Sequence, residues 1–149
     1  MTLKEKIKAA LKESLKRQEK TKVSTLRLLL SEINNAEIAE QKALDDSKVL
    51  EVVAREAKRR RESIEAFKLG KRDDLVAQEE AELKILMGYL PKQMSREEII
   101  AAARQVVEAV GAKGPGDKGK VMSQLMPQLK GKVDGKEVSD VVSQLLATS

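Results

Sequence analysis

The chain has 149 residues, which allows one compact unit or two small ones. Apolar residues make up 41% and charged residues 36%, but one Phe, one Tyr and no Trp leave a core of Leu, Ile, Val, Ala and Met and no base-stacking platform. Zero His and zero Cys exclude thiol nucleophiles, Ser-His-Asp relays, structural zinc, iron–sulfur clusters and disulfides, and a formal charge of +5 permits an acidic partner without demanding one.

Thr2 and Glu5 read as a capping box, and Leu3, Ile7, Leu11 and Leu15 then fall on one face, predicting a helix to about Lys20. A second helix is expected from Val23 or Ser24 to near Glu40, with Leu26, Leu29, Leu30, Ile33 and Ala36 inward and Leu28 as extra apolar surface. Asp45 or Asp46 caps a third, with Val49, Val52, Val53, Ile64 and Phe67 on one stripe and Gly70 as its left-handed stop. Asp73 or Asp74 opens a fourth, with Leu75, Val76, Leu83, Leu86, Met87 and Leu90 inward, ended by Pro91. Short joints favour a four-helix bundle-like domain over residues 1–93.

Ser95 and Glu98 form a second capping box and open a domain over residues 94–149 with three shorter helices. Ile99, Ile100, Ala103, Val106, Val107 and Val110 mark the first, Val121, Met122, Leu125 and Leu129 the second, and Val138, Val141, Val142, Leu145 and Leu146 the third. Gly111, Gly114-Pro115-Gly116, Gly131 and Asp134-Gly135 punctuate them. No alternating pattern of period two appears, so the fold class is all-α.

Gly114, Gly119 and Lys120 imitate the opening of a phosphate-binding P-loop, but Val121 stands where a Ser or Thr is needed and no strand precedes it. A glycine-rich helix joint is the better reading. The carboxylate pairs Asp45-Asp46, Asp73-Asp74, Glu79-Glu80 and Glu97-Glu98 sit near expected helix starts, where they cap backbone N–H groups, so no metal site is expected. Within Lys58-Arg59-Arg60-Arg61, Arg60 follows the apolar line of Val53, Ala57 and Ile64. Its head is expected to seek Glu79, Glu80 or Glu82.

The basic first helix reads foremost as a solvated face, and its apolar side lacks the Trp or Phe of a membrane anchor. Leu28-Leu29-Leu30 is the longest strongly apolar run, and no export-type segment stands out, so no membrane contact and a cytoplasmic location are expected. Beyond Gln93 the chain holds 8 basic and 7 acidic residues, yet Lys113, Lys118, Lys120, Lys130, Lys132 and Lys136 gather around the glycine joints. Lysines on loops and first turns beside exposed backbone N–H groups make a sequence-tolerant phosphate surface.

Several stretches together resemble the YqeY proteins of the GatB/YqeY superfamily over essentially the whole chain. They are Leu26-Arg27-Leu28-Leu29, Glu37-Ile38, the run from Lys58 to Phe67, Arg72-Asp73-Asp74-Leu75, Glu79-Glu80-Ala81-Glu82-Leu83 and Tyr89-Leu90-Pro91. Gly119-Lys120-Val121-Met122, the run from Gly131 to Val138 and Leu145-Leu146 are similar to the tail of the B subunit of glutamyl/aspartyl-tRNA amidotransferase. Asp134-Gly135 departs from the Asn-Pro common there, which keeps the cap and loosens the turn.

The resemblance implies a small helical module that helps recognise tRNA, and it brings a family label of carbon–nitrogen ligase with glutamine as amido-N-donor. This chain has no cradle-like activating domain, no Ser-Ser-Lys constellation and no nucleophile with a neighbouring base. The expectation is therefore a non-catalytic protein without cofactor. Lys118, Lys120, Lys132 and Lys136 would contact phosphates of tRNA or tRNA-like RNA, and Gly119 and Gly131 would let the backbone approach. The alternative is a module that docks on an aminoacyl-tRNA synthetase or amidotransferase.

Overall fold

A computed structural model describes residues 1–147. Among them lie seven α-helices, one short 3₁₀ turn and no strand, so the all-α reading holds. The helices are α1 (Leu3–Lys16), α2 (Lys20–Glu40), α3 (Asp46–Leu69), α4 (Asp73–Met87), α5 (Arg96–Val110), α6 (Lys118–Leu129) and α7 (Gly135–Ala147), with the 3₁₀ turn at Pro115–Asp117. The chain divides between Leu90 and Pro91 into two compact units. Pro91–Gln93 go with the second because the Gln93 amide donates to the carbonyls of Pro91 (2.8 Å) and Gly131 (2.9 Å), while the Met94 N–H donates to that of Lys132 (2.9 Å).

In the first unit α1–α4 share one aliphatic core of Ile7, Leu26, Leu29, Ile33, Val49, Val52, Val53, Ala57 and Leu86. The lone Phe67 and Tyr89 are only half-buried, so Phe67, expected on the inward stripe of the third helix, lies outside the buried core. Several helix ends depart from the sequence reading. The first helix stops at Lys16, and the second begins at Lys20 instead of Val23 or Ser24. Gln18 takes a left-handed φ of 57° and reverses the chain. The hydroxyls of Ser24 and Thr25 do not start a helix but donate back to the Thr21 carbonyl, at 3.1 and 2.8 Å.

At the end of α3 the left-handed residue is Lys71 (φ 55°), whereas Gly70 has an ordinary φ of −82°. Asp45 caps α3 as expected, accepting from the Lys48 N–H, and α4 opens at Asp73 as expected, with Asp73 and Asp74 in its first turn and Arg72 before it. The Arg72 guanidinium holds the Asp74 carboxyl below its usual range through two 3.2 Å hydrogen bonds. Helix α4 ends at Met87, ahead of Leu90. The Glu37 carboxylate ties three segments: it accepts from Lys4 of α1 (2.5 Å) and from the Leu44 N–H (2.9 Å) in the joint before α3. The Lys4 hydrogen bond, then the Leu44 one, holds its pKa below the ordinary value.

In the second unit Ile99, Ala103, Val106, Val121, Leu125, Leu129, Val138, Val141, Val142 and Leu146 form the core that joins α5, α6 and α7. The Ser95–Glu98 capping box is present in both directions. Pro127 lies inside α6, in its last turn, where its missing N–H leaves the Ser123 carbonyl without its helical donor. Arg96 of α5 reaches Gln144 (3.1 Å) and Glu137 (3.9 Å) of α7 along the surface.

Candidate nucleic-acid interface

The lysine-bearing joints of the second unit are built by carboxylates that serve the backbone. After α5 the chain turns through Gly111, at a left-handed φ of 68°, and through the extended Gly114 into the 3₁₀ turn. Asp117 stands at the N-cap of α6, yet its side chain makes no cap hydrogen bond, because its Oδ2 accepts from the Lys113 N–H at 2.9 Å. The first turn of α6 therefore has no side-chain acceptor for its N–H groups, and it continues directly from the 3₁₀ turn, whose Pro115 carbonyl accepts from the Lys118 N–H. Gly119 lies in that turn with open space on the side where a Cβ would stand. Lys118 is half-buried and Lys120 exposed. The P-loop resemblance ends here, since a helix and a 3₁₀ turn precede Lys120.

The second joint is more constrained. Gly131 has φ +80°, and a side chain there would reach Pro91 at 3.8 Å. Its carbonyl is taken by Gln93. Gly131 thus has a conformational reason of its own, independent of any ligand. Asp134 Oδ1 accepts from the Lys136 N–H at 3.1 Å at the start of α7, the same inward use of a carboxylate as at Asp117. Lys132 and Lys136 are exposed. The ammonium groups of Lys113, Lys118, Lys120, Lys132 and Lys136 make no ion pair among the described residues.

The six predicted residues do not form one cluster. Helix α6 has 12 residues, roughly 18 Å at 1.5 Å per residue, so Lys118, Gly119 and Lys120 lie at one end and Gly131 and Lys132 just past the other. Helix α7 packs on α6 and on the Pro115–Asp117 turn, so it runs back along α6 and places Lys136 at the Gly131 end. Two cationic patches result. The bracing roles of Asp117 and Gln93 are absent from the sequence reading, whereas Asp134 takes the cap position expected of it. An Asp directly before a helix is a usable signal for Asp117, but whether it caps the helix or braces the joint depends on neighbours in space.

The glycines predict different responses to the same substitution. Gly131→Ala is expected to lower stability by about 1–2 kcal/mol because an L side chain is strained at that φ. Gly119→Ala should cost nothing, since its Cβ meets open space and alanine is the better helix former. Urea denaturation of the two variants checks this.

Arg60 behaves as its position on the apolar stripe predicted. Its Nε lies 3.3 Å from Glu82 and 3.6 Å from Glu79 of α4. Glu56, one turn before it and almost wholly buried, adds a long contact of 3.5 Å and is bonded at 2.8 Å by Arg59. The Arg60 Nε and Glu79 Oε2 are buried without a hydrogen bond. Burial, then the neighbouring Glu82 charge, pushes the Glu79 carboxyl above its ordinary value, against the pull of Arg60. Glu79 is thus an ionic partner within α4, not the helix-start cap expected of its pair. No group of three or more Asp or Glu side chains is arranged to hold a metal among the described residues.

A family model described as Yqey-like protein matches residues 4–146. Three fungal proteins named altered inheritance of mitochondria protein 41, mitochondrial, are similar. The one from Pyrenophora tritici-repentis is 29% identical, with 95% of this chain and 79% of that protein covered. That from Kluyveromyces lactis is 36% identical over 86% of this chain and 69% of its own length. That from Saccharomyces cerevisiae is 29% identical over 89% and 70%. These names correct the expectation of a cytoplasmic location. That expectation rested on the lack of an export-type apolar run and of a membrane span, and neither separates the cytoplasm from an organelle whose transit segments are amphipathic. No described helix is long and apolar enough to cross a membrane.

Proposed function

This chain belongs to the Yqey-like protein family, and on that premise we propose that it is a non-catalytic accessory protein of tRNA metabolism that binds tRNA or tRNA-like RNA through the two lysine patches of its second unit. The observation that carries the reading is the separation of charge at the joints. Asp117 and Asp134 each accept from a backbone N–H group, while the ammonium groups of Lys113, Lys118, Lys120, Lys132 and Lys136 make no ion pair among the described residues. Patches roughly 18 Å apart along α6 suit a polyphosphate chain rather than a single nucleotide. The first unit, read as a four-helix bundle-like support for a three-helix module, would orient these patches or hold a protein partner.

The test is a binding isotherm of the full chain on labelled bulk tRNA between roughly 50 and 200 mM salt. Affinity is expected to fall with salt by a slope of about 0.7–0.9 per phosphate neutralised. The pairs Lys118→Glu with Lys120→Glu, and Lys132→Glu with Lys136→Glu, should each weaken binding and flatten that slope by about 2, near 1 per lysine. Salt-independent binding, or affinity that survives both reversals, overturns the RNA reading. A complex with an aminoacyl-tRNA synthetase or amidotransferase that survives them would instead favour docking on that enzyme. Glutamine-dependent amide formation by the chain alone would overturn the non-catalytic assignment.

A further inference from the structure

The turn between α1 and α2 carries a surface that RNA binding by the second unit does not use. The apolar stripe of α1 keeps its four-residue period to the last turn, but there α2 has only just begun, and Leu15 remains 46% exposed. Leu28 on α2 is 44% exposed. Leu15, Gln18, Lys20, Val23, Ser24 and Arg27 line an open hollow of about 500 Å³. Its apolar part is Leu15 and Val23, and its charged groups are Lys20 and Arg27. No carboxylate lines it, and neither cation makes an ion pair among the described residues. Of the nearby acids, Glu13 is held by Arg17 at 2.9 Å, and the exposed Glu19 precedes α2 without lining the hollow or pairing with Lys20 or Arg27 among the described residues. The Ser24 hydroxyl is already spent on the Thr21 carbonyl.

We infer that this hollow docks an acidic peptide segment of a protein partner, one that seats an aliphatic side chain against Leu15 and Val23 and sets carboxylates on Lys20 and Arg27. The charge complement decides the occupant: two unpaired cations beside half-exposed aliphatic surface lack both an anion and an apolar cover, and an acidic amphipathic segment supplies both at once. Nucleic acid would supply only the anion, and the hollow holds no aromatic ring on which a base could stack. An anionic bilayer would meet a concave surface without the Trp or Phe of an interfacial anchor.

The probe is a blocked peptide of glutamate, leucine and alanine with leucines one helical turn apart, titrated into the isotopically labelled full chain and followed by amide chemical shifts. Shifts are expected at Leu15–Arg27. The double variant Lys20→Glu, Arg27→Glu should bind at least about tenfold more weakly while keeping its helical content, since both groups lie at the surface. A peptide with serine for leucine, and one with lysine for glutamate, should each lose binding to a similar degree. The inference is overturned if the shifts fall elsewhere, if the double variant binds as well, or if the lysine peptide is equivalent. It is also overturned if phosphatidylglycerol vesicles perturb the same amides as strongly. The double variant leaves Lys118, Lys120, Lys132 and Lys136 intact, so its tRNA isotherm separates failure here from failure of the RNA reading.

Discussion

Arg60→Met is expected to destabilise the full chain by about 3–5 kcal/mol near neutral pH, the cost of removing one partner from a buried ionic cluster. The Arg60 side chain is 11% exposed and lies among Glu56, Glu79 and Glu82, whose side chains are 2%, 20% and 16% exposed. Methionine preserves the apolar stem along Val53, Ala57 and Ile64 but leaves carboxylates facing each other in a poorly hydrated space. Arg59 remains on Glu56 and limits the loss.

The pH dependence identifies the cause. Glu79 already titrates above its ordinary value, so the native state binds a proton more readily than the unfolded chain does. Its contribution to stability is complete below the ordinary carboxylate range and is lost as pH rises through its raised folded value. Without Arg60 that rise grows. Urea denaturation at neutral and mildly acidic pH should therefore show a loss that shrinks on acidification. An equal loss at both pH values would assign it to packing of the stem, and no loss would show the cluster to be well hydrated. Arg60→Lys should fall between, because a single ammonium cannot reproduce a planar fork shared by carboxylates on two helices.

Leu125→Ala is expected to cost about 2–5 kcal/mol, the range for truncating a buried leucine. Leu125 is completely buried at the centre of the second core, with Val121 one turn before it and Leu129 one turn after it on the same face. The functional consequence follows from α6 itself, because that helix holds Lys118 and Lys120 at one end and leads into Gly131 and Lys132 at the other. Affinity for tRNA should fall as α6 loosens although no charge changes. Leu125→Met, which conserves volume, should cost less than about 1.5 kcal/mol and leave binding intact. Thermal unfolding of both variants, read beside the tRNA isotherms, checks the coupling. Loss of stability without loss of binding would show that the lysine patches do not depend on how α6 is seated.

The local features around the candidate site are legible in the chain because their chemistry is short-range. The capping pair Ser95–Glu98 lies within one turn, and the gathering of lysines around glycine joints needs no knowledge of the fold. Arg60 was legible for a different reason: a guanidinium on an apolar stripe must find a carboxylate, and the acids of α4 were the ones within reach. Glu56 was overlooked as the buried partner, although its four-residue spacing from Arg60 is a readable signal. The joints were read less well. Ser24 looked like a helix start, but a hydroxyl satisfied equally by a cap or by a carbonyl one turn back does not announce which it takes. Gly70 was expected to be left-handed, and Lys71 took that place once α4 had to return against α3.

The amino-acid sequence by itself determined that the protein is all-helical, that its cores are aliphatic, and that its second unit concentrates lysines at glycine-bearing joints. Each of these depends on residue type and short-range spacing, and helical periodicity carries them without reference to distant contacts. Only the tertiary structure decided that the lysines form two patches at opposite ends of α6, that Asp117 and Asp134 turn inward to the backbone, and that Lys20 and Arg27 flank a hollow without a counter-ion. Those outcomes turn on which groups meet across a joint or along a neighbouring helix, and the spacing of residues in the chain does not contain that information.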